Sequence, residues 1–503
     1  MNKLAPIVDV CIVVEGCYPF VHGGVSSWID WLIRKQPDLT FGVMAVVADA
    51  RDQTVRYPFP PNVAAFKVVP LAPLRLRPSF FEPQLDGNAF GDLIYRVIRE
   101  SDISAFSELI RFLGTPVRRG PFGLLSQMAP PTLSDLTTSP AAWTAMLSVY
   151  KRTCPEAGFL DFFWAWRTLV GGMLAVMTAD IVPARSYHAI STGFAGLLCA
   201  RAAIGTGCRS AITEHGIYTN ERRIDLIMAD WIEDTIQSGL GAGETRVDIR
   251  QFWIETFESF ARISYQSADR ITTLYGANQS FQRALGAVED KLQVIPNGIE
   301  LDGFTDLIPS TAPRRPTVGL IGRVVPIKDI EACIAAAALV RREFPDVEFL
   351  IMGPTDEDED YFALCQRRVE EYKLEGVITF TGKIDINDYL PRLDLLLLTS
   401  LSEAQPLVLL EAGAACIPCV STDVGSCREI IEGTPEEEPN FGPGGRVVPV
   451  MDTQAIGRAI AELLSDEDLR AQCGRNLCQR VETFFTSQTS ADRYGALYRN
   501  LIS

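Results

Sequence analysis

At 503 residues the chain has room for two or three domains of ordinary size, and its 47% hydrophobic and 22% charged content excludes a disordered or fibrous protein. With 46 Lys and Arg against 63 Asp and Glu the formal charge is −17, which leaves no general basic face for a nucleic-acid backbone or an anionic membrane. A bound anion must therefore rely on a few local cations and backbone N–H groups, and the 12 scattered cysteines read as free thiols of a reducing cytoplasm rather than a disulfide scaffold.

The opening stretch, Met1 to Glu15, is an apolar run broken by Asp9 with no small-residue cleavage site, so it reads as a first strand and not a signal peptide. The strand Asp9–Val14 runs through Glu15-Gly16-Cys17-Tyr18-Pro19-Phe20-Val21-His22-Gly23-Gly24 into a helix over Val25–Arg34, and a second apolar run covers Phe41–Ala48. Strand, glycine loop, helix, strand is a βαβ unit, and continuous apolar strands predict a buried parallel sheet. Residues 71–180, where Pro70, Pro73, Pro78, Pro130 and Pro131 alternate with helical stretches such as Ser104–Leu113, read as an insertion on the first domain. The most apolar segment, Phe162–Met177, contains Arg167 and two glycines and falls short of a membrane span. No transmembrane segment is expected; peripheral membrane contact stays open.

The alternation returns with strands Ser186–Ser191 and Arg209–Thr213 around a helix Phe194–Ala203, then a long helix Ile249–Gln266, a strand Arg270–Leu274 and the turn Pro296-Asn297-Gly298. Beyond Pro309, Pro313 and Pro316 a second series begins. Its strands are Thr317–Gly322, Val347–Met352, Val377–Phe380, Leu393–Thr399, Ile417–Ser421 and Val447–Val450. Its helices are Asp329–Phe344 and Pro406–Ala415, with a helical tail over Asp452–Ser503. The pattern predicts an α/β protein of two doubly wound domains, residues 1–300 and 301–480, with a proline-marked linker near 300–316.

The strongest chemical signal lies in the second domain. Gly322-Arg323-Val324-Val325-Pro326-Ile327-Lys328-Asp329 sits where a strand passes into a helix, the edge at which open α/β sheets bind ligands. Arg323 and Lys328 put two cations beside a helix N-terminus, as a diphosphate requires, although a solvated surface turn has the same composition. In Ser402-Glu403-Ala404-Gln405-Pro406-Leu407-Val408-Leu409-Leu410-Glu411, Glu403 falls in the loop after a strand and Pro406 at a first helical turn. Glu411 then falls among apolar helix residues, where a carboxylate is costly to bury without donors such as the two hydroxyls of a ribose.

The chain holds 3 histidines, His22, His188 and His215. His215 follows a strand directly in Glu214-His215-Gly216 and is the best functional candidate of the three; His188 lies within its strand and reads as support. Their scatter lacks zinc-ligand spacing. Gly23-Gly24 before a helix lets backbone approach a ligand. Asp358-Glu359-Asp360 has the form of a metal-binding DxD, but carboxylates before a helix are favoured by its dipole and read as solvated. Cys416-Ile417-Pro418-Cys419-Val420 reads as a buried strand in preference to a redox or zinc pair.

Together, Gly322-Arg323-x4-Lys328, Pro296-Asn297-Gly298, Glu403-x7-Glu411 and Thr422-Asp423-Val424-Gly425 resemble the retaining glycosyltransferases of family four, which have a GT-B fold of two Rossmann-like domains facing a central cleft. The match covers roughly residues 186–450. Glu15-Gly16-x-Tyr18-Pro19-x-Val21-x-Gly23-Gly24-Val25-Ser26-Ser27-Trp28 and Glu214-His215-Gly216-Ile217-Tyr218 narrow it to the branch that serves Pel exopolysaccharide synthesis. The resemblance implies a hexosyltransferase using a UDP-sugar donor, with no metal cofactor, and a glycan acceptor.

In that family pattern Arg323 and Lys328 hold the diphosphate, Glu411 the ribose and Glu403 the donor sugar, with Leu407 and Val408 lining the same site. Asn297 falls near the cleft, His215 contacts the donor sugar, and Gly23 and Gly24 approach phosphate or acceptor. His215, Arg323, Lys328 and Glu403 form the catalytic set. Residues 481–503 become a helix crossing back to the first domain. The implied partners extend to inner-membrane polysaccharide synthase proteins, with a cytoplasmic or peripheral inner-membrane location. Other chemistries on the same scaffold are a UDP-sugar epimerase or hydrolase, and a non-catalytic nucleotide-sugar sensor in a synthase complex.

Overall fold

Val8, Val10, Cys11, Ile12, Val13 and Val14 are all fully buried, so the first strand is covered on both faces, as a central strand of a parallel sheet must be. The computed structural model describes residues 6–49, 54–72, 85–115, 117–119, 127–227, 249–304, 307 and 315–503. Pro73, Pro78, Pro309 and Pro313, used above to mark the insertion and the linker, lie outside the described residues. The chain divides into two compact units: Met1–Thr273, Gln279–Gln293 and Tyr494–Ser503 make the first; Leu274–Asn278 and Val294–Arg493 make the second.

In the first unit, β1 (Val8–Glu15), β2 (Phe41–Val47), β3 (Val63–Pro70), β4 (Ala184–Ala189), β5 (Arg209–Glu214), β6 (Arg270–Thr273) and β7 (Leu292–Val294) form one sheet in the order β3-β2-β1-β4-β5-β6-β7. Val10 lies opposite Phe41 and Ser186 on its two parallel neighbours. The order reverses at β1, so the loop after Glu15 emerges at the topological switch point. The edge strand β3 escaped the sequence reading because Lys67 breaks its apolar run and its side chains are mostly half-buried or exposed.

Helices α1 (Gly24–Arg34), α2 (Gly87–Glu100), α3 (Ile103–Gly114), α4 (Leu133–Thr138), α5 (Pro140–Thr153), α6 (Phe159–Thr178), α7 (Phe194–Thr206), α8 (Tyr218–Ile227), α9 (Ile249–Ser267) and α10 (Asn278–Ala284) cover this sheet. Asp86 and Asp102 cap α2 and α3 by accepting from backbone N–H groups. The described part of the segment read as an insertion packs into the core of the first unit. Phe162, Leu169, Val170 and Met173 of α6 share one apolar core with Val13, Met44 and Val46 of the strands. Among the described residues α6 is the one helix long and apolar enough to cross a membrane, and 56% of its apolar window is buried, which makes it a core helix.

In the second unit, β8 (Thr317–Ile321), β9 (Glu348–Met352), β10 (Ile378–Gly382), β11 (Leu395–Leu398), β12 (Cys419–Thr422) and β13 (Gly445–Val448) make a parallel sheet in the order β10-β9-β8-β11-β12-β13. Val318 faces Phe349 on one side and Leu395 on the other. Its helices are α11 (Ile330–Glu343), α12 (Glu359–Glu371), α13 (Ile386–Tyr389), α14 (Leu407–Ala414), α15 (Cys427–Glu432), α16 (Thr453–Ser465), α17 (Glu467–Phe484) and α18 (Ser487–Ile502).

Three local readings change. A 3-10 turn over Pro326–Lys328 precedes α11, and Asp329, in the left-handed region at φ 45°, caps the helix by accepting from Ala332 N–H. Cys416 is an exposed turn residue at φ 56°, so of the two cysteines only Cys419 lies in the strand. The tail is three helices, and Tyr494 and Tyr498 of the last are fully buried in the first unit.

Candidate functional site

The switch point of the second sheet lies between β8 and β11, and both strands deliver polar residues at their carboxyl ends. Lys328 Nζ sits 2.5 Å from Glu403 Oε1, with the two side chains only 19% and 16% exposed. Ser400 Oγ donates to the same oxygen at 2.7 Å. The backbone around Lys328 is tied to the loop after β11: Thr399 Oγ1 donates to Lys328 C=O at 2.7 Å and Leu401 N–H to Ile327 C=O at 2.9 Å. Thr422 Oγ1 secures Ser400 C=O at 2.7 Å, joining the end of β12 to the same group.

The Thr422–Gly425 turn explains itself here. Gly425 has φ 54°, and a Cβ on it would fall 2.3 Å from the carbonyl oxygens of Glu403 and Ala404. Only glycine lets this turn press on the Glu403 loop. Gly298 is constrained in the same way: a Cβ there would lie 2.1 Å from Thr486 C=O, beside the bridge between Ile299 and Thr486. Asn297 N–H donates to Gln405 Oε1 at 2.7 Å, and Gln405 Nε2 donates back to Asn297 C=O at 3.1 Å. Ser400 and Gln405 are site residues that sequence reasoning missed; their places directly after the strand that ends at Thr399 and between Glu403 and Pro406 were the available signals. Asn297 Oδ1 is buried without a partner among the described residues.

Arg323 and Lys328 pair with different carboxylates. The Arg323 guanidinium pairs with Glu357, both side chains about half exposed. Such surface pairs contribute about 0–1 kcal/mol, so the guanidinium is held weakly. Glu411 lies on α14 between the fully buried Leu410 and Ala412, and its carboxylate has no hydrogen-bond or ion-pair partner among the described residues. Burial pushes its carboxyl above the usual carboxylate range. Leu407, at the start of α14, is exposed, and Val408 packs partly on the core below. The DxD candidate is a helix cap: Asp358 Oδ1 accepts from Tyr361 N–H at 2.9 Å.

In the first unit, His215 stands edge-to-face on Trp28 with centroids 4.5 Å apart, and its Nε2 is buried without a partner among the described residues. Burial lowers its pKa to about 4, so the ring is neutral near pH 7. Glu214 beside it is fully buried and accepts from Gln282 Nε2 at 3.0 Å, Thr192 Oγ1 at 3.3 Å, Tyr218 N–H at 3.4 Å and Tyr265 O–H. Tyr218 O–H also donates to Glu15 Oε1 at 2.9 Å, linking the loops after β1 and β5. His22 is an exposed residue against Tyr57. Gly23 and Gly24 are exposed with open space where a Cβ would stand.

His188 is supporting structure: its ring nitrogens lie 2.8 Å from Tyr498 O–H and 2.7 Å from Thr213 Oγ1. Burial, with His215 adding to it, lowers its pKa from 6.5 to about 3. Between those values the unfolded chain binds a proton the folded chain refuses, so this stabilisation is lost as pH falls. Glu15 and Glu214, raised by burial, give the opposite slope: the folded state keeps their protons longer, and stability falls as pH rises through their range. His188→Gln isolates the histidine part. The wild-type melting temperature should fall more steeply than the variant's from pH 6.5 to 5; parallel curves would exclude this linkage.

The family model described as a domain of unknown function, DUF3492, matches residues 8–290, more than half of the chain. The chain belongs to the DUF3492 family. Residues 308–480 match the model of glycosyl transferases group 1, so the second unit carries a group 1 glycosyltransferase domain. Over 204 residues the chain is 31% identical to the phosphatidyl-myo-inositol mannosyltransferase of Mycolicibacterium smegmatis, covering 39% of this chain and 49% of that protein. Over 177 residues it is 29% identical to the N-acetyl-alpha-D-glucosaminyl L-malate synthase of Bacillus anthracis, covering 35% and 43%. The chain thus spans about half the length of the curated relatives it matches.

Among solved structures, the sucrose-phosphate synthase of Thermosynechococcus elongatus aligns over 98% of both chains with TM-score 0.56 and 18% identity. Anabaena HepE, in complex with UDP and glucose, aligns over 98% of this chain and 99% of its own with TM-score 0.54 and 14% identity. The shared architecture is the GT-B fold.

Proposed function

We propose that the chain is a retaining, UDP-sugar-dependent hexosyltransferase that extends a glycan. The observation that carries this reading is the mostly buried Lys328 ammonium, fixed at the switch point of the group 1 domain against Glu403 and Ser400. In glycosyl transfer, negative charge grows on the departing diphosphate, and a preorganised cation is worth most where it already stands in place. Lys328 supplies that charge. Arg323 adds to it by exchanging its weak surface pair with Glu357 for a phosphate.

Glu411 accepts the ribose hydroxyls, which offset the desolvation of an otherwise unpartnered carboxyl. Glu403, oriented by Lys328 and Ser400, accepts hydroxyls of the donor hexose, with Leu407 and Val408 beside it at the start of α14. Asn297 offers its unpaired Oδ1. On the first unit, neutral His215 is the group for a sugar hydroxyl, and Gly23-Gly24 leave backbone N–H groups open to a phosphate or the acceptor. The cations and N–H groups serve in place of a divalent metal. With Glu403 given to the donor hydroxyls and Glu411 to the ribose, neither carboxylate of the motif serves as a nucleophile, so departure and attack proceed on one face without a glycosyl-enzyme; trapping an adduct on any side chain would contradict this. The motif Glu15 to Trp28, around the linked Glu15–Tyr218 pair, extends the reading to the Pel exopolysaccharide and to a protein like PelF, working in the cytoplasm beside membrane synthase proteins.

Calorimetry on the full chain with UDP, ADP, GDP and a panel of UDP-hexoses tests the donor. UDP should bind at least about tenfold more tightly than the purine diphosphates, a difference of about 1.4 kcal/mol. Labelled UDP-hexose should give an α-linked product only with a glycan acceptor. Equal turnover without acceptor, or an epimerised nucleotide sugar, would replace this reading.

A further inference from the structure

The helices α4, α5 and α6 border a cavity of about 450 Å³ in the first unit that has no role in the reading above. Ala48, Leu71 and Ala72, the residues just past the carboxyl ends of β2 and β3, also line it. Met146 and Trp166 in its wall are buried, whereas Trp143 and Trp164 are 49% and 58% exposed. A concave apolar space of this size is of ligand dimensions.

Its threonine hydroxyls are already donating, and Ser139 Oγ accepts from Ala142 N–H at 3.1 Å as the cap of α5. Thr137 Oγ1 donates to Leu133 C=O at 2.7 Å, Thr138 Oγ1 to Ser134 C=O at 2.8 Å and Thr168 Oγ1 to Trp164 C=O at 3.0 Å. A sugar, which needs several free donors, is poorly served by such a wall; a hydrocarbon chain needs none. The charge is equally one-sided. Arg167 lines the cavity, lies 5.7 Å from the Trp164 ring and pairs with no carboxylate among the described residues. Arg167 is an exposed side chain, so its guanidinium stands at the open face of the cavity. Gly171, on the same helix and in the same wall, would carry a Cβ with no heavy atom within 4 Å, so a side chain there would project into the void.

We propose that this cavity binds one anionic membrane lipid, the hydrocarbon chain in the apolar void and the phosphate on Arg167. Trp143 and Trp164 at its exposed rim are of the type that sits at a membrane–water boundary. The inference rests on the first unit alone and is independent of nucleotide-sugar binding by the second.

Full-length protein titrated with decyl phosphate below its critical micelle concentration should bind one molecule per chain, and excess inorganic phosphate should not compete. Arg167→Gln, which breaks no ion pair, should weaken decyl phosphate by about tenfold or more while leaving decanol unchanged. Gly171→Leu should abolish both, and if that variant fails to fold, Arg167→Gln carries the test. Phosphatidylglycerol vesicles should retain the wild type and lose both variants, with little retention on phosphatidylcholine. The proposal is overturned by absence of saturable binding, by wild-type affinity in folded Gly171→Leu, by displacement with an oligosaccharide, or by vesicle retention that ignores both substitutions. UDP affinity, unchanged in both variants, separates a failure here from a failure of the donor reading.

Discussion

Lys328→Ala should lower kcat/KM for the UDP-sugar by about 10²–10³-fold, the cost of removing one preorganised charge-stabilising donor. The side chain contacts Glu403 at 2.5 Å in a mostly buried setting, so the substitution removes the cation and leaves Glu403 with Ser400 alone. Two effects then add: the leaving diphosphate loses its counter-charge, and the donor-sugar carboxylate loses its orientation. Glu403→Gln separates them, since it keeps Lys328 but weakens its tether. UDP affinity should fall strongly in Lys328→Ala and little in Glu403→Gln, whereas turnover should fall in both. Arg323→Ala should weaken UDP less than Lys328→Ala, because Arg323 is half exposed and would have to leave Glu357 to reach a diphosphate. Turnover of Lys328→Ala within about threefold of wild type would remove the diphosphate from this site.

Much of this site is legible in the sequence because local pattern dictates it. Apolar runs such as Leu395–Leu398 can only be buried strands, and the loops that follow them must lie at one edge of the sheet. Gly322 to Lys328 and Glu403 to Glu411 fall in that edge by connectivity alone. What the sequence hides are the pairings across it. Nothing in the spacing says that Arg323 turns to Glu357, 34 residues on, while Lys328 takes Glu403, 75 residues on. The Gln405–Asn297 exchange is likewise a contact across 108 residues, made by a side chain with no distinctive chemistry.

The segment that holds α2 to α6 was legible only in part. Its prolines suggested irregularity, yet Pro140 simply starts α5 after the Ser139 cap, and Pro131 precedes the Thr132 capping box of α4. Prolines at helix starts and prolines in loops look alike until the caps beside them are read. The apolar face of α6 could not be assigned to the shared core from its own sequence, because its burial depends on α9, far along the chain, as well as on the next helix, α7.

Arg480→Met should destabilise the second unit by about 3–5 kcal/mol, the cost of stranding one partner of a buried ion pair. Arg480 is fully buried and Glu437 only 6% exposed. The guanidinium reaches Glu437 through Nε at 2.7 Å and Nη2 at 2.8 Å, and it also donates to Gly442 C=O at 2.8 Å and Ile431 C=O at 3.0 Å. Methionine fills much of the volume but leaves the Glu437 carboxylate with only Phe441 N–H at 3.4 Å and removes the Arg480 donor from Gly442 C=O, while Ile431 C=O keeps Gly444 N–H at 2.6 Å. The consequence reaches the site through packing: Leu477 and Val481, on the same helix as Arg480, share a core cluster with Leu409, Leu410 and Ala412 of the helix that carries Glu411. Denaturant unfolding of the full chain should therefore show a lower midpoint for the second unit, accompanied by weaker UDP binding. Arg480→Met combined with Glu437→Leu should recover much of the loss, because it removes the stranded charge as well as its partner. A single variant that loses less than about 1 kcal/mol would mean that water or a neighbouring group already compensates Glu437, and the tie between this ion pair and the Glu411 helix would then have to be abandoned.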